Sequence, residues 1–201
     1  IKILLFSFLF VMNLRLLFKQ LADYNRKMPA SHPGMPLLLM GYLNPILQFG
    51  IEKFCKKCYE SGISGTIIPD LPMEEYQNHY KTIFEKYDLK NIFLITPQTS
   101  KERIRMIDKI SDGFIYAVSS SATTGKKWDI KNEIPEYFNR IKSMELKNPV
   151  IIGFGISDKK SFLTACGFAN GAIVGSAFVK SMVKGGNLKK EINEFMENLL
   201  C

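Results

Sequence analysis

Short apolar runs alternate along the chain with longer segments whose apolar residues recur three and four positions apart. Six runs, at 36–40, 66–69, 92–96, 114–118, 150–154 and 172–175, read as strands, and each is hydrophobic nearly throughout. Strands without polar alternation are those covered on both faces, the condition of a parallel sheet. Between them the spacings Tyr76, Tyr80, Ile83, Phe84, Tyr87 and Ile104, Ile107, Ile110 each draw one apolar stripe along a helix. Gly62 closes one helix, Ser100 with Arg103 opens another, and Ser157-Asp158 precede a third. Side chains that accept from exposed helix N–H groups, and glycine just past a helix end, are the usual boundary residues. The repeat is strand then helix at a spacing of roughly 30 residues, which calls for right-handed crossovers between parallel strands.

Periodicity does not separate a barrel from an open, doubly wound sheet; the chemistry at the strand ends does. The last two strands run into Gly153-Phe154-Gly155-Ile156-Ser157 and Val174-Gly175-Ser176-Ala177, the second leading directly into a helical pattern. In TIM (β/α)8 barrels, phosphate commonly sits between the loops after strands seven and eight and a short helix N-terminus. If these are strands seven and eight, the six strands are strands 3 to 8 of an incomplete barrel and the first two β/α units are missing. A full barrel takes about 250 residues, or roughly 31 per unit, so two units account for a deficit near ~60; the chain has 201.

The first residues, IKILLFSFLFVM, are apolar but too short to span a bilayer, which takes about 20 residues. No small-residue cleavage pattern follows them. Residues 1–11 are therefore expected to be an atypical leader, and 12–201 the partial barrel domain.

A composition of 46% hydrophobic and 23% charged residues is that of an ordinary globular domain. The net charge of +8 points to an anionic partner, and its distribution selects among them. Lys53, Lys56, Lys57, Lys81, Lys86 and Lys90 are scattered along amphipathic segments. They form no compact basic block with interleaved aromatics, which argues for a phosphorylated small molecule over nucleic acid or a membrane. Of the four cysteines, Cys55 and Cys58 fall inside the helical pattern Ile51, Phe54, Cys55, Cys58. A redox pair would open a helix and zinc would want further ligands, so both read as core residues, no metal site is expected, and reduced thiols fit a cytoplasmic protein.

A phosphate needs converging N–H donors, and glycine lets the backbone approach it closely. Gly155, Gly175 and Ser176 meet that need at successive strand ends, with a third glycine in Thr124-Gly125 after the Tyr116 strand. Tyr42, Ile67, Pro69 and Tyr116 offer an aromatic and apolar wall suited to a flat moiety, although Tyr42 and Tyr116 fit equally as barrel filling. Asp70, in Ile68-Pro69-Asp70-Leu71-Pro72, is the one carboxylate at the C-terminal end of a strand. It suits proton transfer and also suits capping of the helix that begins near Met73.

The blocks LLLMGYLNPILQFG, IIPDLPMEEY, NIFLITPQTS, FIYAVSSSATTG, IIGFGIS and AIVGSAFVK resemble, in order and spacing, those of the tryptophan synthase alpha subunit family, from about Met12 to the C-terminus. The resemblance implies a lyase that cleaves indole-3-glycerol phosphate to indole and glyceraldehyde 3-phosphate in tryptophan biosynthesis. It implies an alpha2-beta2 complex with a beta subunit that holds the pyridoxal phosphate, and no cofactor in this chain. It places the phosphate ligands at Gly125, Gly155, Gly175 and Ser176, and the substrate pocket at Met40, Tyr42, Ile67, Pro69, Tyr116 and Thr124. Asp70 matches an aspartate that orders the loop after strand two and communicates with the partner.

The loop departs from the family at Ser120, where many members carry arginine, and at Ala122, where they carry glycine. The family's acid and base lie in a block of the form E-x-G-x-P-F-S-D-P-x-A-D-G-P, which does not occur in these 201 residues. The chain as it stands is therefore expected to be inactive. A module that docks on a beta subunit and keeps a phosphate site is the alternative.

Overall fold

The computed structural model describes residues 14, 17–18, 36–118, 133–153, 155–182 and 187–200. Residues 1–11, expected to be a leader, lie outside them. The chain divides into two compact units, one holding residues 36–93 and 110–113 and the other residues 94–109 and 114–200.

In the first unit β1 (Leu37–Met40), β2 (Ile63–Ile67) and β3 (Lys90–Ile92) form a parallel sheet in the order β1-β2-β3. Helices α1 (Leu43–Phe49) and α2 (Ile51–Glu60) connect β1 to β2. After β2, α3 (Met73–Glu75) passes through a π-helical stretch (Tyr76–Tyr80) into α4 (Lys81–Lys86). Burial at Met73, Tyr76 and Phe84 keeps one apolar stripe across this passage. Tyr76 makes edge contacts with Phe84 at 5.4 Å and Phe93 at 5.3 Å between ring centroids. Gly62 adopts φ 67° one residue past the cap of α2, and its N–H donates to Tyr59 O at 3.0 Å; only glycine takes that conformation without strain.

Phe54, Cys55 and Cys58 are the buried residues of α2, so the two thiols are core groups as their helical spacing predicts. Burial pushes the Cys55 thiol up to about 12 and the Cys58 thiol higher still. The scattered lysines are partly neutralised: Lys57 pairs with Glu60, Lys81 with Glu85, Lys86 with Glu52, and Lys90 with Asp88 and Asp112.

In the second unit β4 (Leu94–Ile95), β5 (Ile115–Val118), β6 (Val150–Gly153) and β7 (Gly171–Ala172) form a parallel sheet, again in chain order. Helices α5 (Lys101–Ile110), α6 (Glu133–Lys142), α7 (Lys159–Phe168), α8 (Ser176–Met182) and α9 (Leu188–Leu200) complete the set. A doubly wound sheet reverses its strand order at a switch point. Both sheets here run strictly in sequence order, as barrel strands do. Neither sheet closes on itself among the described residues.

The expected strands recur with shifted limits. The expected strand at 92–96 is two strands in different sheets, with Phe93 between them. The second strand begins at Ile63: Ser64, Gly65 and Thr66 interrupt the apolar run, while pairing with β1 continues from Ile63 to Ile67 across a register shift at Ser64. Thr66 is buried and its hydroxyl donates to its register partner Asn91 at 3.2 Å. The last strand is short, although the Ile173 N–H still donates to Ile152 O at 2.8 Å.

The expected helix starts hold. Arg103 N–H donates to Ser100 Oγ at 3.2 Å. Asp158 caps α7 through Ser161 N–H at 2.8 Å, with Ser161 Oγ returning the contact to the Asp158 N–H at 3.1 Å. No helix of the described residues is long and apolar enough to cross a membrane.

Asp108, in the last turn of α5, ties down the entry to β6. It accepts from Lys147 N–H at 2.8 Å, and from Asn148 N–H and Asn148 Nδ2 each at 2.9 Å. Partial burial raises its pKa, but the hydrogen bonds from Asn148 and Lys147 outweigh it and hold the carboxyl below its ordinary range. A depressed carboxyl contributes stability that is complete above its unfolded pKa and lost as pH falls through the folded value. Asp108→Ala is expected to cost about 1–2 kcal/mol near neutral pH, an advantage of the parent that shrinks below about pH 4. Urea denaturation of both chains at pH 7 and pH 3 measures this, and an unchanged difference at pH 3 would contradict it.

Candidate functional site

The register through β6 brings the glycine-bearing strand ends to one edge of the four-stranded sheet. Ile152 pairs with Ala117 on one side and Ala172 on the other. Gly155 lies three residues beyond Ile152 and Gly175 three beyond Ala172 on the adjacent parallel strand. Gly155 is exposed and adopts φ 78°, so the chain turns sharply where β6 ends. Gly175 is half-buried, and a Cβ built on it would meet nothing within 4 Å. Ser176 is exposed and opens α8, whose Val179 N–H donates to Gly175 O at 3.1 Å. First-turn N–H groups have no intrahelical acceptor and favour an anion. Thr124 and Gly125, with Ser120 and Ala122, lie outside the described residues.

Gly153 answers to a different demand. A Cβ on it would overlap the Tyr116 side chain at Cε2, Cζ and the phenol oxygen. Tyr116 is 5% exposed on β5, and burial pushes its phenol up. Tyr116 pairs with Ile151, and its ring leans diagonally over the backbone two residues further along β6. The sequence Gly153-Phe154-Gly155 thus joins a glycine required by an aromatic ring to one required by a turn, a distinction that spacing does not reveal.

In the other unit the apolar candidates also share one sheet end. Met40 pairs with Ile67, and Gly41 N–H donates to Ile67 O at 3.1 Å. Tyr42 and Pro69 follow two residues beyond these partners. Ile67 is fully buried, Met40 half-buried and Pro69 exposed; Tyr42 is 52% exposed and so does not serve as core filling.

Asp70 departs from one of its sequence readings. The helix beginning at Met73 is capped by Pro72 without a side-chain hydrogen bond. The Asp70 carboxylate accepts instead from Leu43 N–H at 2.9 Å, the first residue of α1. It therefore caps the helix of the preceding strand–helix unit, and a capping pattern read only along the local sequence misses it. Asp158, beyond the end of β6 in the second unit, is committed to its capping box, and the Ser161 N–H and hydroxyl hold it below the usual carboxylate range. Neither is arranged as a proton donor. Among the described residues no cluster of histidine, cysteine and carboxylate groups is able to hold a metal ion.

Two functional candidates gave no signal in the sequence: Tyr137 and Arg140 on α6. Tyr137 Oη donates to Ile95 O at 3.2 Å, and Arg140 Nη2 to Pro97 O at 2.7 Å, so both act on the end of β4.

Two outcomes are expected. Gly153→Ala should cost about 1–3 kcal/mol through overpacking and should cost measurably less in a Tyr116→Ala background; equal costs in both backgrounds would remove Tyr116 as the cause. In Asp70→Ala, amide exchange at Leu43 should accelerate while that at Ile67 stays slow; equal protection of Leu43 in both chains would show that the carboxylate does not secure α1.

The profile of the tryptophan synthase alpha chain family matches residues 15–200. The chain is 53% identical to a tryptophan synthase alpha chain of Bacteroides fragilis over 181 residues, 90% of this chain and 67% of that protein. It is 52% identical to one of Flavobacterium johnsoniae over 185 residues, covering 92% and 70%. Among solved structures, the tryptophan synthase complex from Pyrococcus furiosus contains a chain that superposes with a TM-score of 0.77 at 30% identity, covering 94% of this chain and 74% of that one. The tryptophan synthase A-subunit from the same organism gives 0.76 at 30% identity, with the same coverage.

Proposed function

The chain belongs to the tryptophan synthase alpha chain family, and we propose that its described strand ends bind indole-3-glycerol phosphate without cleaving it. The phosphate would lie at Gly155, Gly175 and Ser176 with Gly125, and the indole and glycerol portion against Met40, Tyr42, Ile67, Pro69, Tyr116 and Thr124. The observation that carries this reading is the β6–β7 register, through which Gly155 and Gly175-Ser176 end adjacent strands at one level. In this assignment the strands are strands 3 to 8 of a TIM barrel.

Cleavage of the carbon–carbon bond requires a proton delivered to indole C3 and protons removed from the indole nitrogen and the glycerol hydroxyl. That is work for two positioned carboxylates with separated pKa values. The Asp70 and Asp158 carboxylates are occupied as acceptors of main-chain hydrogen bonds, and the family's acidic block is absent from these 201 residues. Substrate binding is thus supported more fully than turnover. A lyase of this family works with a beta subunit, the partner that holds pyridoxal phosphate, and we assign this chain the same partner and a cytoplasmic setting. The alternative, a non-catalytic beta-subunit-binding module that retains a phosphate site, keeps the phosphate residues and needs no indole pocket.

Indole release from indole-3-glycerol phosphate, followed with and without a beta subunit, is expected to stay at the buffer rate for the 201-residue chain. Titration with sn-glycerol 3-phosphate is expected to saturate. Turnover by this chain alone would place an acid–base pair within it, and failure to bind glycerol phosphate would remove the cradle assignment.

A further inference from the structure

We propose that Arg140 is a positioning residue for the anionic end of the substrate: a cation fixed at the end of β4, with no carboxylate partner among the described residues, so that its charge favours a phosphate at the ends of β6 and β7. The inference rests on the phosphate assignment of Gly155, Gly175 and Ser176 and adds a charged group to it.

Tyr137 and Arg140 stand three residues apart on α6 and so share a face. Tyr137 Oη donates to Ile95 O at 3.2 Å, and Arg140 Nη2 to Pro97 O at 2.7 Å and Thr99 O at 3.4 Å. Alternate carbonyls at the end of β4 are thus claimed by two side chains of one helix. The guanidinium lies 5.5 Å from the centre of the Tyr137 ring, which orients it further. The turn it grips is itself braced, since Thr96 N–H donates to Thr99 Oγ1 and Thr99 N–H to Thr96 O, both at 2.9 Å.

Hydrogen bonding explains where the guanidinium sits but leaves its charge unanswered. Arg140 is half-buried, its Nε is buried with no acceptor, and no carboxylate among the described residues pairs with it. Removing a cation from water without a counterion is unfavourable, and carbonyl dipoles compensate only in part. A clamp on carbonyls needs donors but no net charge. The positive potential left over is directed at whatever anion occupies that edge of the sheet.

The register locates that edge. Ile95 pairs with Ala117, Ala117 with Ile152, and Ile152 with Ala172. Pro97 and Thr99 lie two and four residues beyond Ile95, Gly155 three beyond Ile152 and Gly175 three beyond Ala172. β4 and β6 are two inter-strand spacings apart, about 10 Å. At that separation, close to one Debye length at ordinary ionic strength, a half-buried charge acts on a dianion.

The test titrates the full chain with sn-glycerol 3-phosphate and, separately, with uncharged indole at low ionic strength. Arg140→Gln is expected to weaken glycerol phosphate binding by roughly three- to tenfold, the size of one charge acting across that distance, and to leave indole binding unchanged. Arg140→Lys keeps the charge while losing the fork, and is expected to stay within about twofold of the parent for both ligands. Should the Gln variant fail to fold, Arg140→Met keeps the stem over Tyr137 and serves the same comparison. Equal losses for both ligands would make Arg140 a structural clamp only, and no loss would deny it any role; either result overturns the proposal. A parent chain that binds indole but not glycerol phosphate would defeat the phosphate assignment and the role of Arg140 together. Parent-like affinity in the Gln variant would defeat the latter alone.

Discussion

The parallel ladder through β6 is the interaction on which the site depends. Ile151 and Ile152 are each 1% exposed, and the apolar burial on both faces of β6 leaves little freedom of register, because a one-residue slip would exchange the side chains of the two faces. With Ile152 held between Ala117 and Ala172, the ends of β5, β6 and β7 are set relative to one another before any loop is considered. Gly155 and Gly175 then come to one level by counting residues. The latch from Asp108 to Lys147 and Asn148 and the capping box at Asp158 secure the two ends of this β-strand–helix unit and protect the register from fraying.

The sequence was informative wherever one physical demand dominated a position. Apolar runs flanked by capping residues gave the parallel strands and the starts of α5 and α7, and the helical spacing of Cys55 and Cys58 was enough to assign them to the core. It was less informative where two demands coincide. The Thr66 hydroxyl donates to Asn91 across the ladder, so polar residues sit at buried positions of β2 and β3 and the apolar pattern loses its start. Phe93 separates two strands that look like one run, because the apolar pattern continues through it while the hydrogen bonding changes sheets. Asp70 reaches a helix 27 residues earlier in the chain, and Arg140 reaches carbonyls 41 and 43 residues away. Contacts of that separation leave no trace in local spacing.

Binding and chemistry occupy different parts of a fold of this kind. A phosphate is held by backbone N–H groups, which any sequence supplies once glycine allows the approach, whereas proton transfer needs particular side chains with displaced pKa values. The residues present are suited to the first task. Asp70 and Asp158 are used as structural acceptors, and the strongly displaced pKa values belong to buried phenols and thiols such as Tyr116, Tyr137 and Cys58, raised mainly by burial.

The π-helical stretch at Tyr76–Tyr80 bears on how the chain tolerates changes in length. A π turn holds one more residue than an α turn, so a helix can absorb an inserted residue there without rotating the turns on its C-terminal side. Here Tyr76, its first residue, packs against Phe84 beyond its end. A residue gained or lost within Tyr76–Tyr80 would therefore leave the burial of Phe84 and the start of β3 in place.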